Sequence, residues 1–220
     1  MGSTALAIVE DKVPAHIAAN MDAGRGNEHV GAELKTPKVK LLQKMSNEVD
    51  KHHTDFVPDA DVGLWFNDLT KEVYTDTLHI ISLSFTTDYT VKQKEEFGKN
   101  FIGTFVTLPE ARKAIAEAPV PAQYEYYQTH NHVVVLKNAK TGELEGPVIM
   151  EFRGTKLKIS KAWNSEIAMK GGDRFACLWK IIAIPQSNDK GSWHGIDLSY
   201  AGWTKEEDFK FAEAQYELHK

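Results

Sequence analysis

The feature that most restricts the fold is a succession of short β-type runs separated by turn residues, with helix-type sequence in only two places. The clearest run is Leu78 to Tyr89 (LHIISLSFTTDY), free of glycine and proline and rich in residue types that suit a pleated, half-buried surface. Within it Ile81, Leu83 and Phe85 share one face, with His79 two residues ahead of Ile81. Before it, Val62 to Tyr74 reads as two strands around a turn at Asn67 and Asp68. After it, Tyr124 to Leu136 and Pro147 to Phe152 read as a hairpin closed by a turn over 138–142. Residues 155–161 and 175–184 read as two more strands, with Gly171 and Gly172 in the loop between them. A turn from Ser187 to Gly191 leads into a last strand, Ser192 to Tyr200.

Helix-type sequence starts at Pro109, where proline opens an alanine-rich stretch to Ala118 that Pro119 and Pro121 end. The second helix runs from Thr204 to Leu218. Phe209, Ala212 and Tyr216 form its inner stripe, with Phe211 at the edge. Thr204 and Glu207 have capping-box spacing, and Glu206, Glu207 and Asp208 suit the helix dipole. There is no βαβ alternation and no repeat period. A mainly β fold, closed as a small antiparallel barrel or curled sheet with one internal and one C-terminal helix, is the simplest solution. The 220 residues fit one domain. Residues 1–30 lack periodicity and read as a flexible N-terminal arm, 31–203 as the β domain, and 204–220 as the amphipathic helix.

Several functional classes are set aside. The single cysteine, Cys177, allows no intrachain disulfide and fits a reducing compartment. No apolar run approaches the ~18–20 residues of a membrane span, and the start lacks the positive region and apolar stretch of a secretory signal. A soluble, cytoplasmic protein without a membrane partner is expected. No phosphate loop, dinucleotide glycine pattern or G-x-S-x-G turn is present, so neither an enzyme nor a cofactor is expected. His52 and His53 lie in a polar loop. His130 and His132 share one face of a strand, a usable metal geometry, but no acid follows until Glu143. A metal-dependent β-barrel enzyme built on that pair is a lesser alternative.

The net charge of −5 argues against a nucleic-acid partner until its distribution is read. Residues 151–180 carry seven bases and three acids, a net +4, which leaves −9 on the remainder. Read as a strand, this segment points Lys156, Lys158 and Ser160 one way and Leu157 and Ile159 toward the core, with Trp163 at the strand exit, on the rim. A second basic stretch, Thr36 to Met45, holds Lys38, Lys40 and Lys44 with Lys35 just before and no acid. Val39, Leu41 and Met45 alternate with its lysines, as on a strand, though Leu42 leaves a short helix open. A basic strand face beside an aromatic ring suits a single-strand binder: lysines neutralise phosphates and the ring stacks on an unpaired base.

The run GTKLKI from Gly154 to Ile159, then Trp163-Asn164, then the apolar strand Ala176 to Ile184, resembles the C-terminal barrel half of single-stranded DNA-binding proteins of tailed bacteriophages. The stretch Glu33 to Gln43 is similar to the opening of uncharacterised phage replication-module proteins. The looser similarity covers much of residues 30–200. The resemblance implies an oligonucleotide/oligosaccharide-binding (OB-fold) barrel that coats single-stranded DNA in phage replication or recombination with little sequence preference. Phage replication proteins would be partners and the host cytoplasm the setting. Position by position it implies phosphate contacts at Lys156 and Lys158 and stacking at Trp163. Lys35, Lys38, Lys40 and Lys161 would complete a positive groove, and Tyr89, Tyr126, Tyr127 and Trp193 are further stacking candidates. One departure stands out. The best-known members end in a long acidic tail, whereas this chain ends in a short helix with five acids and three lysines from Thr204 onward. A protein-binding adaptor or inhibitor that uses the acidic remainder and the terminal helix is the other alternative.

Overall fold

The computed structural model describes residues 36–138, 140–189 and 191–219, which belong to one unit, Thr36–Lys220. The arm expected over residues 1–30, and Lys35, lie outside the described residues. In chain order the elements are β1 (Val39–Leu41), β2 (Trp65–Asn67), β3 (Val73–Tyr74), β4 (Thr77–Gln93), β5 (Phe101–Phe105), α1 (Leu108–Ala116), β6 (Tyr124–Lys137), β7 (Leu144–Arg153), α2 (Leu157–Lys170), β8 (Cys177–Asn188), β9 (Gly191–Trp203) and α3 (Glu206–His219). None of these helices is long and apolar enough to cross a membrane.

The long run read from Leu78 to Tyr89 becomes β4, and the main sheet is built around it. Antiparallel neighbours follow in the order β7-β6-β4-β8-β9. One half of β4, Thr77 to Ile81, lies between β6 and β8. The other half, Tyr89 to Lys92, lies between β6 and β5. The β6–β7 hairpin turns as expected: Gly142, at φ 78°, donates its N–H to the Asn138 carbonyl at 2.8 Å. The Asn138 side chain accepts from Lys140 N at 2.9 Å. Strands β1, β2 and β3 form a small separate sheet.

The fold is mainly β and antiparallel, as the sequence implies, with the expected internal helix α1 and C-terminal helix α3 and a second internal helix, α2. Among the described residues no ladder joins β7 to β9, so the sheet is not closed into a barrel by hydrogen bonds. Residues 37–43 reach both of those edges. Ile149 N on β7 donates to the Pro37 carbonyl at 2.8 Å. On β9, His194 N donates to Gln43 Oε1 and Gln43 Nε2 donates to the His194 carbonyl, both at 2.9 Å.

Both faces of the sheet are covered, because the two directions along β4 feed different cores. Leu78 and Ile80 join Val134, Met150, Phe152, Trp163, Trp179 and Ile181 beneath β1, β2 and α2. Ile81 and Leu83 join Val135, Phe175 and Ala212 beneath α3. The inner stripe read for the C-terminal helix is correct: Phe209 and Tyr216 pack their rings 5.0 and 5.7 Å from that of Phe175. Asp208 of α3 is buried and pairs with Lys137 of β6. The helix begins at Glu206, and the Thr204 hydroxyl donates to the Ala176 carbonyl at 3.0 Å, docking the chain against the start of β8.

One expectation is overturned. Residues 157–170 form a helix, not a strand. The alternation from Lys156 to Ser160 is only five residues long, too short to tell a period of 2 from 3.6. Over the whole segment the buried positions are Ser160, Trp163 and Ile167, a helical spacing of three and four. Ala162, Ala168, Met169 and the lysines favour a helix. Gly154 at φ 56° and Gly171 at φ 72° bracket it, in a region other residues enter at a cost. Trp163 is therefore on the inner face, 1% exposed, and not at a strand exit on the rim.

Truncating Trp163 to alanine is expected to destabilise the protein by about 3–5 kcal/mol. Lys158→Ala, on the exposed face of the same helix, should stay within about 0.5 kcal/mol of the parent. Urea denaturation of both variants checks this. Equal effects would mean that the helix is docked with a different face inward.

Candidate nucleic-acid interface

Strand β7 ends at Arg153, a short 3₁₀ turn carries Gly154–Lys156, and α2 begins at Leu157. This corner brings most of the expected basic residues together, through a helix and not a strand face. Three clefts meet there. The first, of about 300 Å³, is lined by Lys38, Lys40, Arg153 and Lys156 over a floor that includes Trp65 and Phe152. The second, of about 210 Å³, lies between Lys156 and Lys158 on one side and Trp193 and His194 on the other. The third, of about 430 Å³, is lined by Lys92, Tyr126, Tyr127 and Arg153. Lys156 lines both the first and second clefts, and Arg153 both the first and third, so the three adjoin at these residues.

The cations along these clefts differ in their surroundings. Lys38 pairs with Glu151 at 2.5 Å and Lys40 with Glu48 at 2.7 Å. Arg153 shares Glu151, at 2.8 Å, and donates to Thr129 Oγ1 at 3.0 Å. Lys156, Lys158 and Lys161 form no ion pair among the described residues. Lys156 is half-buried, and burial lowers its pKa, since nothing nearby offsets the cost of desolvating the ammonium. Lys158 and Lys161 are exposed on the first turns of α2.

The stacking candidates separate clearly. Trp193 is 38% exposed, its ring fixed by an Nε1–H bond to Gln186 Oε1 at 2.9 Å. Tyr126 is also exposed and meets the half-buried Tyr89 edge to face at 5.9 Å. Tyr127 lies beneath the Lys92 ammonium at 4.3 Å, and its hydroxyl donates to Glu125, which raises its pKa. Trp163 offers no face to a ligand, since its ring stacks on His132 at 4.2 Å. Arg153 and Lys92 were not singled out from the sequence. Arg153 lies within the basic segment, and Lys92 lies three residues after Tyr89 in a β run, which is the signal that could have found them.

His130 and His132 do lie on one face of β6, but they converge on Ser160 of α2 and not on an open coordination position. Ser160 Oγ is 2.8 Å from His130 Nδ1 and 2.7 Å from His132 Nε2. Arg174 can only donate. Its Nη2 gives one bond to His132 Nδ1 at 3.1 Å and one to Asn164 Oδ1 at 2.6 Å, while its Nε donates to Ser82 at 2.8 Å. His132 is thus neutral, with its proton on Nε2, where it donates to Ser160. Burial, then the charge of Arg174, pushes the His132 pKa down to about 2. Among the described residues no group of three or more His, Cys, Asp and Glu side chains is arranged to hold a metal. Cys177 is buried, which raises its thiol pKa.

Fold and site together define a mainly antiparallel β protein whose basic, cleft-lined corner is set by a buried polar network. The chain belongs to the family of Pam3 phage gp34-like proteins, whose model matches residues 3–220. It is thus a member of a phage protein family. No curated protein and no solved structure matches it.

The neutral His132 links stability to pH. The unfolded chain takes up a proton near the usual 6.5, whereas the folded one resists to about 2. Stability from this group is therefore complete above pH 6.5 and is lost as pH falls through that window, by up to about 1.4 kcal/mol per pH unit. Unfolding free energies from pH 7.5 to 5 should show this slope, and His132→Gln should flatten it while lowering stability throughout. An unchanged slope in that variant would mean that His132 is not held neutral.

Proposed function

We propose that this protein binds single-stranded nucleic acid, DNA foremost, along the clefts at the β7–α2 corner. The observation that carries this reading is that three adjoining clefts share Lys156 and Arg153 in their walls and are flanked by the exposed rings of Tyr126 and Trp193. Lys156, Lys158 and Arg153 contact phosphates, and Tyr126 and Trp193 stack on unpaired bases. Phosphate contact supplies affinity without reading sequence, and aromatic stacking accepts any base. Such a protein would coat single strands during phage replication or recombination, as the resemblance around Gly154 to Ile184 implies. Lys38, Lys40 and Arg153 contribute less than Lys156 and Lys158, because a phosphate must compete there with Glu151 and Glu48. Trp163 has no part in contact; it supports the corner from beneath.

The test is the anisotropy of a labelled oligonucleotide against salt concentration. Each phosphate neutralised on a single strand contributes a log–log slope of about −0.7, so Lys156 and Lys158 give about −1.4, approaching about −2 as Arg153 exchanges Glu151 for a phosphate. Lys156→Ala and Lys158→Ala should each weaken binding and flatten the slope by about 0.7. Trp193→Ala should cost about 1–3 kcal/mol of affinity with little change in slope. Duplex of the same length should bind more weakly, since its bases cannot reach the rings. Affinity independent of salt, or unchanged from the parent in all three variants, would remove this corner from the function.

A further inference from the structure

Among the described residues the outermost strands of the main sheet are β7, β9 and β5, and the first two have contacts on their outer edges. The outer edge of β7 is covered by Pro37 and Lys38, which bond and bridge to Ile149. The outer edge of β9 is blunted by side chains: Gln43 takes both backbone groups of His194, and Asp197 Oδ1 accepts from Leu198 N at 3.0 Å. The third edge is β5, which among the described residues pairs only with β4. Its five residues, Phe-Ile-Gly-Thr-Phe, include no charge and no proline, two usual protections of an exposed edge, and its irregularity is a register shift against β4 between Gly103 and Phe101. Apolar side chains crowd it: Phe101 is 64% exposed and Val106 74%, with Phe97 and Ile102 also exposed.

We propose that β5 is a self-association edge, where two copies of this chain pair Phe101–Phe105 antiparallel about a two-fold axis at Gly103. The strand is self-complementary in that register. Phe101 falls opposite Phe105 of the second copy, Ile102 opposite Thr104, and Gly103 opposite itself. Aromatic residues directly opposed across antiparallel strands attract, and no like charges meet. Charge complementarity points to the same occupant. Continuing the register brings Lys99 toward Thr107 of the second copy, whose N–H and hydroxyl hold the Glu110 carboxylate at 3.1 and 2.8 Å. Neither Lys99 nor Glu110 forms an ion pair among the described residues, and the two-fold axis would make the Lys99–Glu110 pair twice. An isologous contact of this kind closes at two copies and leaves no further edge to propagate. It lies on the β4–β5 hairpin and does not depend on the nucleic-acid reading.

Sedimentation velocity of the full chain without nucleic acid, over a range of concentrations, gives the first readout. The apparent mass should rise toward twice the 24.7 kDa of one chain, and Phe101→Lys should return it to one chain at the same concentration. The second readout fixes the register and does not depend on that variant folding. Directly opposed residues in antiparallel strands stand about 4.5–5.5 Å apart at Cα, within disulfide reach. Mild oxidation of Gly103→Cys should therefore yield a covalent dimer that reductant reverses, while Ser199→Cys on the exposed face of β9 stays single. A single-chain mass at every concentration, or cross-linking at Ser199→Cys equal to that at Gly103→Cys, would overturn the proposal.

Discussion

The structure depends on one hydroxyl, that of Ser160, held between two histidine rings. It lies on α2, and its partners His130 and His132 lie on β6. The three bonds that Arg174 gives to Ser82, His132 and Asn164 tie the same helix to β4 and to the approach to β8. Trp163 fills the space beside this network, stacked on His132 and in edge contact with Trp179. Buried polar groups are costly unless satisfied, so a network of this kind admits one docking of the helix and penalises others. That docking turns Lys158 and Lys161 outward and sets Lys156 where two clefts meet. The surface charge is placed by an interior constraint.

Much of the fold is legible in the sequence, and the errors share a cause. The strand β4, the β6–β7 hairpin and helices α1 and α3 each carry a local signal longer than about two periods, which is what pattern reading needs. The lysine–apolar alternation at the start of α2 does not. It mimics a strand for five residues, and the positions that identify the helix, Ser160, Trp163 and Ile167, have meaning only once their partners on β6 are known. Those partners are 28 and 30 residues away for Ser160, beyond any local pattern.

The candidate site was legible in its composition and not in its pairing. Of the basic segment, Arg153, Lys156 and Lys158 line clefts that also hold the exposed aromatics Tyr126 and Trp193, while Arg174 is turned into the interior. Lys38, read from a stretch without acids, finds Glu151 across 113 residues of sequence. Lys40 finds Glu48 only eight residues away, but in a turn whose direction the sequence does not reveal. Of the five described lysines expected in the groove, Lys38 and Lys40 are thereby paired within the fold. Lys156, Lys158 and Lys161 form no ion pair among the described residues, and the first two are those that the resemblance also implicates, though at the start of a helix and not on a strand.

Hydrogen–deuterium exchange of the full chain with and without a single-stranded oligonucleotide addresses the central claim most directly, because it reports position as well as binding. The account expects slowed exchange over Arg153 to Lys158 and over Tyr126 and Tyr127, with no change in the peptides of α3 on the opposite face of the sheet. Protection confined to α3, or none anywhere at an oligonucleotide concentration that saturates the anisotropy signal, would contradict it.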